Sequence, residues 1–74
     1  MNLKYNTLGE IISGRNAGWY VKLIDDRASS GGIYIYEFKE PDDNEGFDTW
    51  LENENDVDGF ISESGWKIKW LNKN

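Results

Sequence analysis

The chemistry available to this chain is mostly that of carboxylates. Ten stand between Glu40 and Glu63 (Glu40, Asp42, Asp43, Glu45, Asp48, Glu52, Glu54, Asp56, Asp58, Glu63), with no lysine or arginine among them. Grouped carboxylates can share acid and base roles in hydrolysis, ligate a hard cation, or meet a cationic surface. The first use lacks support. The chain has no histidine and no cysteine, which removes the commonest general base, the commonest zinc ligand and every Ser-His or Cys-His arrangement. Ser29-Ser30-Gly31-Gly32 is a glycine-serine turn without the lysine of a phosphate-binding loop. The expectation is no catalytic residue, no cofactor and no enzyme.

For the second use, the run from Glu54 places acids at positions one, three and five of a calcium loop (Glu54, Asp56, Asp58), glycine at six (Gly59) and isoleucine at eight (Ile61). Position twelve is Gly65, where the bidentate glutamate belongs, and position one is glutamate rather than aspartate. Val57, Phe60 and Ile61 fit better as the buried face of a helix. No metal site is expected, and a calcium- or carbohydrate-binding module is a minor alternative.

The third use fits the charge. The net of −6 divides into −10 between Glu40 and Glu63 and +4 elsewhere, with Lys67, Lys69 and Lys73 gathered near the end. That sign is wrong for gripping DNA or RNA by its phosphates. It suits a basic partner, or else a solvated acidic face. An ordinary soluble helix mixes charges for i,i+4 pairing, so the lack of any interspersed base favours a binding face. The candidates are Asp42, Asp43, Glu45, Asp48, Glu52, Glu54, Asp56 and Asp58.

Seventy-four residues make one domain, 1–74, which buries only roughly 60–65% of its unfolded surface and so has a thin core. Residues 19–24 and 33–38 alternate as strands, and the loop Arg27 to Gly32 makes them an antiparallel hairpin. Pro41 breaks the sheet after them. Phe47, Trp50 and Leu51, then Val57, Phe60 and Ile61, each fall at i, i+3, i+4, which predicts two short helices over 46–52 and 56–63, or one bent helix. Asn55 or Asp56 would cap the second and Gly65 would end it. Residues 66–71 alternate as a last strand, with Trp66, Ile68 and Trp70 toward the helices and the lysines toward water. Residues 7–13 admit two readings. Leu8, Ile11 and Ile12 have helical spacing and Thr7 to Glu10 has the form of a capping box. Gly9 would interrupt that helix, however, and Gly14 to Gly18 reads as a turn, which favours a strand. The expected fold is α+β, a small two-layer domain with an antiparallel sheet of three to four strands and one or two short helices on one face.

Four tryptophans in so short a chain are first of all core, and Trp19, Trp50, Trp66 and Trp70 all lie on the apolar side of their segment's period. Tyr34 and Tyr36 are different. If Ile33 and Ile35 point inward, Tyr34, Tyr36 and Phe38 line the opposite face, with Tyr20 beside them. That patch is either a docking surface or a seat for the N-terminal segment.

The order Gly18-Trp19 leading a strand into Asp25-Asp26, a Gly-Gly-opened second strand, Gly46-Phe47-Asp48-x-Trp50 and a closing Gly65-Trp66-Lys67-Ile68-Lys69-Trp70 resembles small immunity proteins of bacterial polymorphic-toxin systems of the contact-dependent inhibition type. The likeness spans roughly residues 9 to 71. It implies an antitoxin role in the cytoplasm of the producing cell: binding one cognate toxin with a basic surface, often a nuclease, and occluding its active site. The residues alone point the same way, toward stoichiometric inhibition, with the acids filling a phosphate-binding cleft and Tyr34 or Tyr36 as anchors. A phage-type acidic mimic of nucleic acid, binding a host DNA-binding protein, shares the same composition. No apolar run is long enough for a membrane span, and the start lacks a signal peptide's apolar stretch. Oligomeric state is left open.

Overall fold

Among the described residues, alternating side chains build one antiparallel sheet and a single amphipathic helix closes one side of it. The computed structural model describes residues 3–40 and 46–71. Its elements are β1 (Leu8–Ser13), β2 (Tyr20–Asp26), β3 (Gly32–Phe38), β4 (Gly46–Leu51), α1 (Glu54–Ser64) and β5 (Lys67–Trp70). The sheet order is β4-β3-β2-β1-β5 and every neighbouring pair is antiparallel. The α+β class holds, but the sheet has five strands.

The extra strand comes from residues 46–52, for which apolar spacing predicts a helix. Phe47 and Leu51 share a face in a strand as well as in a helix, since four residues is a multiple of the strand period. Trp50 is what separates the two patterns. Here Gly46–Leu51 pairs along its full length with β3, from Phe38↔Gly46 to Ile33↔Leu51. Phe47, Thr49 and Leu51 therefore follow Glu37, Ile35 and Ile33 on one face, and Trp50 joins Tyr34 on the other.

Residues directly opposite in an antiparallel pair share a face. The inner face thus carries Ile11, Val21, Leu23, Ile33 and Ile35, which form the core with Val57, Ile61 and Trp66. Leu3 and Tyr5 pack against the same core, and the Tyr5 hydroxyl donates to Glu54 at the start of α1. The described part of the N-terminal segment, from Leu3, therefore lies on the helix side and does not seat on Tyr34 and Tyr36.

The helix begins two residues before its expected start. Its N-cap is Asn53, not Asn55 or Asp56, and the Asn53 side chain accepts from the Asp56 N–H at 2.9 Å. Glu54 and Asp56 in the first turn complement the positive end of the helix dipole. Gly65 closes the helix at φ 70°, the left-handed position where glycine has no Cβ penalty. In β5, Lys67 and Lys69 are exposed while Ile68 and Trp70 pack on the core, as expected. No helix among the described residues is long and apolar enough to cross a membrane.

Candidate protein-binding surface

The face of the sheet opposite α1 is built from the other half of each alternation. Register places Tyr20 opposite Phe38, Lys22 opposite Tyr36, Ile24 opposite Tyr34, and Asp48 and Trp50 on the far side of Tyr36 and Tyr34. Tyr34 and Tyr36 stack with ring centroids 5.7 Å apart, and Tyr20 stacks on Phe38 at 6.5 Å. These aromatics are half-buried by one another, and the one helix of the described chain packs on the other side.

Trp50 leads this surface. It was expected in the core, yet 45% of it is exposed. Its Nε1–H donates to Ser30 Oγ at 3.0 Å, and its indole lies against the bare Cα of Gly32. An exposed tryptophan held by a hydrogen bond and a fitted neighbour loses little freedom on binding, which is what an interface anchor needs. The strand at 46–51 is the reason sequence reasoning missed it: a helix would have turned Trp50 inward.

The acidic candidates do not stand together. Asp48 lies exposed on the aromatic face, opposite Tyr36. Glu52 is exposed just beyond β4. Glu54, Asp56 and Asp58 belong to α1, behind the sheet. Asp42, Asp43 and Glu45 lie outside the described residues. The described acids therefore fall on two sides of the sheet rather than in one belt. Glu54 is also engaged internally, accepting from Tyr5 and standing 4.0 Å from the Arg27 guanidinium. Burial, reinforced by the bond to Glu54, pushes the Tyr5 phenol up to about 12. Arg27 in turn holds Asp25 through two side-chain bonds, at 2.8 and 2.7 Å, and through its own backbone N–H. Those bonds pull Asp25 down to about 2 and raise Arg27.

The calcium-loop match dissolves in the same way, because the residues at its first, third and fifth positions sit on a helix. Among the described residues no three histidines, cysteines or carboxylates cluster to hold a metal. Asp58 does leave Oδ1 buried without a hydrogen-bond partner.

Glu37 escaped the sequence reading entirely. It lies on the inner face at 3% exposure, accepting from Asn16 Nδ2 at 3.1 Å and from Arg15 at 3.4 Å. Arg15 lies over the Phe60 ring, 5.0 Å from its centroid, and its carbonyl accepts the Trp66 indole N–H at 2.6 Å. This cluster locks the β1–β2 loop to the end of α1, a structural role. The signal for it was a glutamate on the apolar side of a strand's alternation.

Comparison with protein-family models, with curated proteins and with solved structures yields no match.

Proposed function

We propose that this chain is a non-catalytic protein inhibitor of the immunity type, which binds a cognate toxin with a basic surface, such as a nuclease, in the cytoplasm of the producing cell. Its contact surface is the outer face of the sheet, centred on Trp50, Tyr34 and Tyr36 with Asp48 among them. The observation that carries this reading is the fixed, exposed Trp50 on an aromatic sheet face free of the helix. Tryptophan and tyrosine are enriched among the few residues that carry most of the energy at protein interfaces. A sequence without histidine or cysteine suits occlusion better than turnover.

The spread of the carboxylates divides their labour. Asp48 pairs directly with a cation of the partner. Asp56, Asp58 and the rest of the −10 segment act at longer range, steering a basic partner toward the domain, an effect on association rate that salt suppresses. The test is to co-express the chain with each product of the genes that adjoin its own. One product should be harmful alone, tolerated with this chain, and recovered with it in a one-to-one complex. Trp50→Ala and Tyr36→Ala should each weaken that complex at least tenfold, as interface anchors do. If no adjoining product is bound and neutralised, the inhibitor reading fails.

A further inference from the structure

We infer that the edge of β4, which no strand among the described residues pairs with, accepts an added β-strand from a basic, extended segment of a partner protein. The sheet order leaves two edges, β4 and β5, and they are finished differently. β5 has four residues, two of them exposed lysines, and its pairing with β1 is broken by a register shift between Ile11 and Ser13. Short length, lysines and bulges are the devices that stop an edge from pairing. β4 is longer, has no bulge and carries a single charge, that of Asp48. It runs six residues in unbroken register against β3, with no lysine, arginine or proline. Alternate residues of such an edge turn their backbone N–H and C=O groups outward, a template for a further strand.

The side chains of β4 define what that strand must carry. Phe47 is 61% exposed on the inner side and Trp50 is exposed on the outer side. An incoming strand therefore meets apolar surface on both faces at this edge. Asp48 lies between them, exposed, and Glu52 is exposed just beyond the strand, with no base among residues 46–54. A second copy of this chain pairing here would bring its own Asp48 and Glu52 to the same edge, and like charges across a strand pair are unfavourable. A strand alternating lysine or arginine with apolar residues satisfies both the charge and the exposed rings. The acids that admit such a strand also keep copies of the chain apart.

The inference rests on reading the chain as a protein-binding module, and not on the inhibitor role. The probe is a panel of synthetic peptides of about seven residues, the length of an ordinary strand. They alternate lysine or arginine with valine, isoleucine or phenylalanine, and a matched set carries glutamate at the charged positions. With isotope-labelled protein, the basic peptides should shift the amide resonances of Gly46–Leu51 and slow exchange of alternate amides there, and the glutamate set should not. N-methylation of one alternate set of peptide nitrogens should abolish binding and methylation of the other set should spare it. Asp48→Lys should weaken the basic peptides about three- to tenfold and admit the glutamate peptides. The inference is overturned if no basic peptide moves β4, if both methylated sets bind alike, or if sedimentation finds a dimer that itself protects the β4 amides. Binding at β4 without neutralisation of any adjoining toxin would overturn the inhibitor role and leave the edge standing.

Discussion

The indole of Trp50 occupies the space that a side chain on Gly32 would need. A Cβ on Gly32 would collide with Trp50 Cε2 and Nε1 and stand 2.5 Å from the Leu51 carbonyl oxygen. Gly32→Ala should therefore expel the indole and disturb the β3–β4 ladder, costing about 1–3 kcal/mol as overpacking does. Ser30→Ala isolates the other restraint. It removes the acceptor 3.0 Å from Nε1 at a solvent-exposed site, so stability should change by less than about 1 kcal/mol. Time-resolved anisotropy of Trp50, with Trp19, Trp66 and Trp70 replaced by phenylalanine, should show a faster indole in both variants. An unchanged indole in Gly32→Ala would mean that the glycine does not set its position.

Glu37 tests what holds the other end of the sheet. Its carboxylate is buried while 52% of the Arg15 side chain is exposed, and their contact is a long 3.4 Å. Removing one partner from a buried pair strands a charge, at about 3–5 kcal/mol for a well-buried pair. The exposed arginine and the surviving Asn16 bond reduce that here. Arg15→Ala should cost about 1–3 kcal/mol by denaturant unfolding, part of it from lost contact with Phe60 and Trp66. Arg15→Ala in a Glu37→Gln background should cost less, and equal costs in both backgrounds would show that Arg15 acts through the rings alone.

Two titrations give opposite pH signatures. Asp25 is lowered from 3.8 to about 2, so its contribution to stability is complete above about pH 4 and is lost as pH falls toward 2. Arg27→Gln should flatten that acid limb. Tyr5 is raised from 10.0 to about 12, so its contribution is present below pH 10 and is lost as pH rises to 12. In an ultraviolet titration Tyr5 should ionise late, and Tyr5→Phe should delete that step. Absence of the late step would separate Tyr5 from Glu54.

Much of the fold was legible because its patterns were unambiguous. Residues 19–24, 33–38 and 66–71 alternate cleanly, and Val57, Phe60 and Ile61 mark one helix. The miss at Gly46–Leu51 has a definite physical origin. Phe47 and Leu51 obey both periods, and the strand is realised by pairing of the whole segment with β3, to which the strand-favouring Phe47, Thr49 and Trp50 contribute. The site inherited that error. Tyr34 and Tyr36 were placed on the outer face by alternation alone, but Trp50 could join them only once residues 46–51 became a strand. The acids were legible as charge and not as geometry, because the β4–α1 turn sends Asp48 and Asp56 to opposite sides of the sheet.

Gly14 and Gly65 cross where the β1–β2 loop meets the end of α1, and they should not respond alike to a methyl group. Both have positive φ, 98° and 70°, so alanine at either is strained, by about 1 kcal/mol. The surroundings then separate them. A Cβ on Gly65 would meet only the Gly14 Cα, at 3.7 Å, an ordinary contact. A Cβ on Gly14 would collide with the Gly65 carbonyl and stand 2.7 Å from the Ser64 oxygen, the same oxygen that accepts the Arg15 N–H at 2.9 Å. Backbone cannot step aside as a side chain tip can. Relieving the clash means lifting the loop from the helix and carrying Arg15 away from Glu37 and Trp66. Gly65→Ala should thus cost about 1 kcal/mol. Gly14→Ala should cost at least about 2 kcal/mol more, with the Trp66 indole N–H losing its exchange protection. Equal costs, with Trp66 still protected in both, would show that the loop adapts and that the crossing does not constrain it.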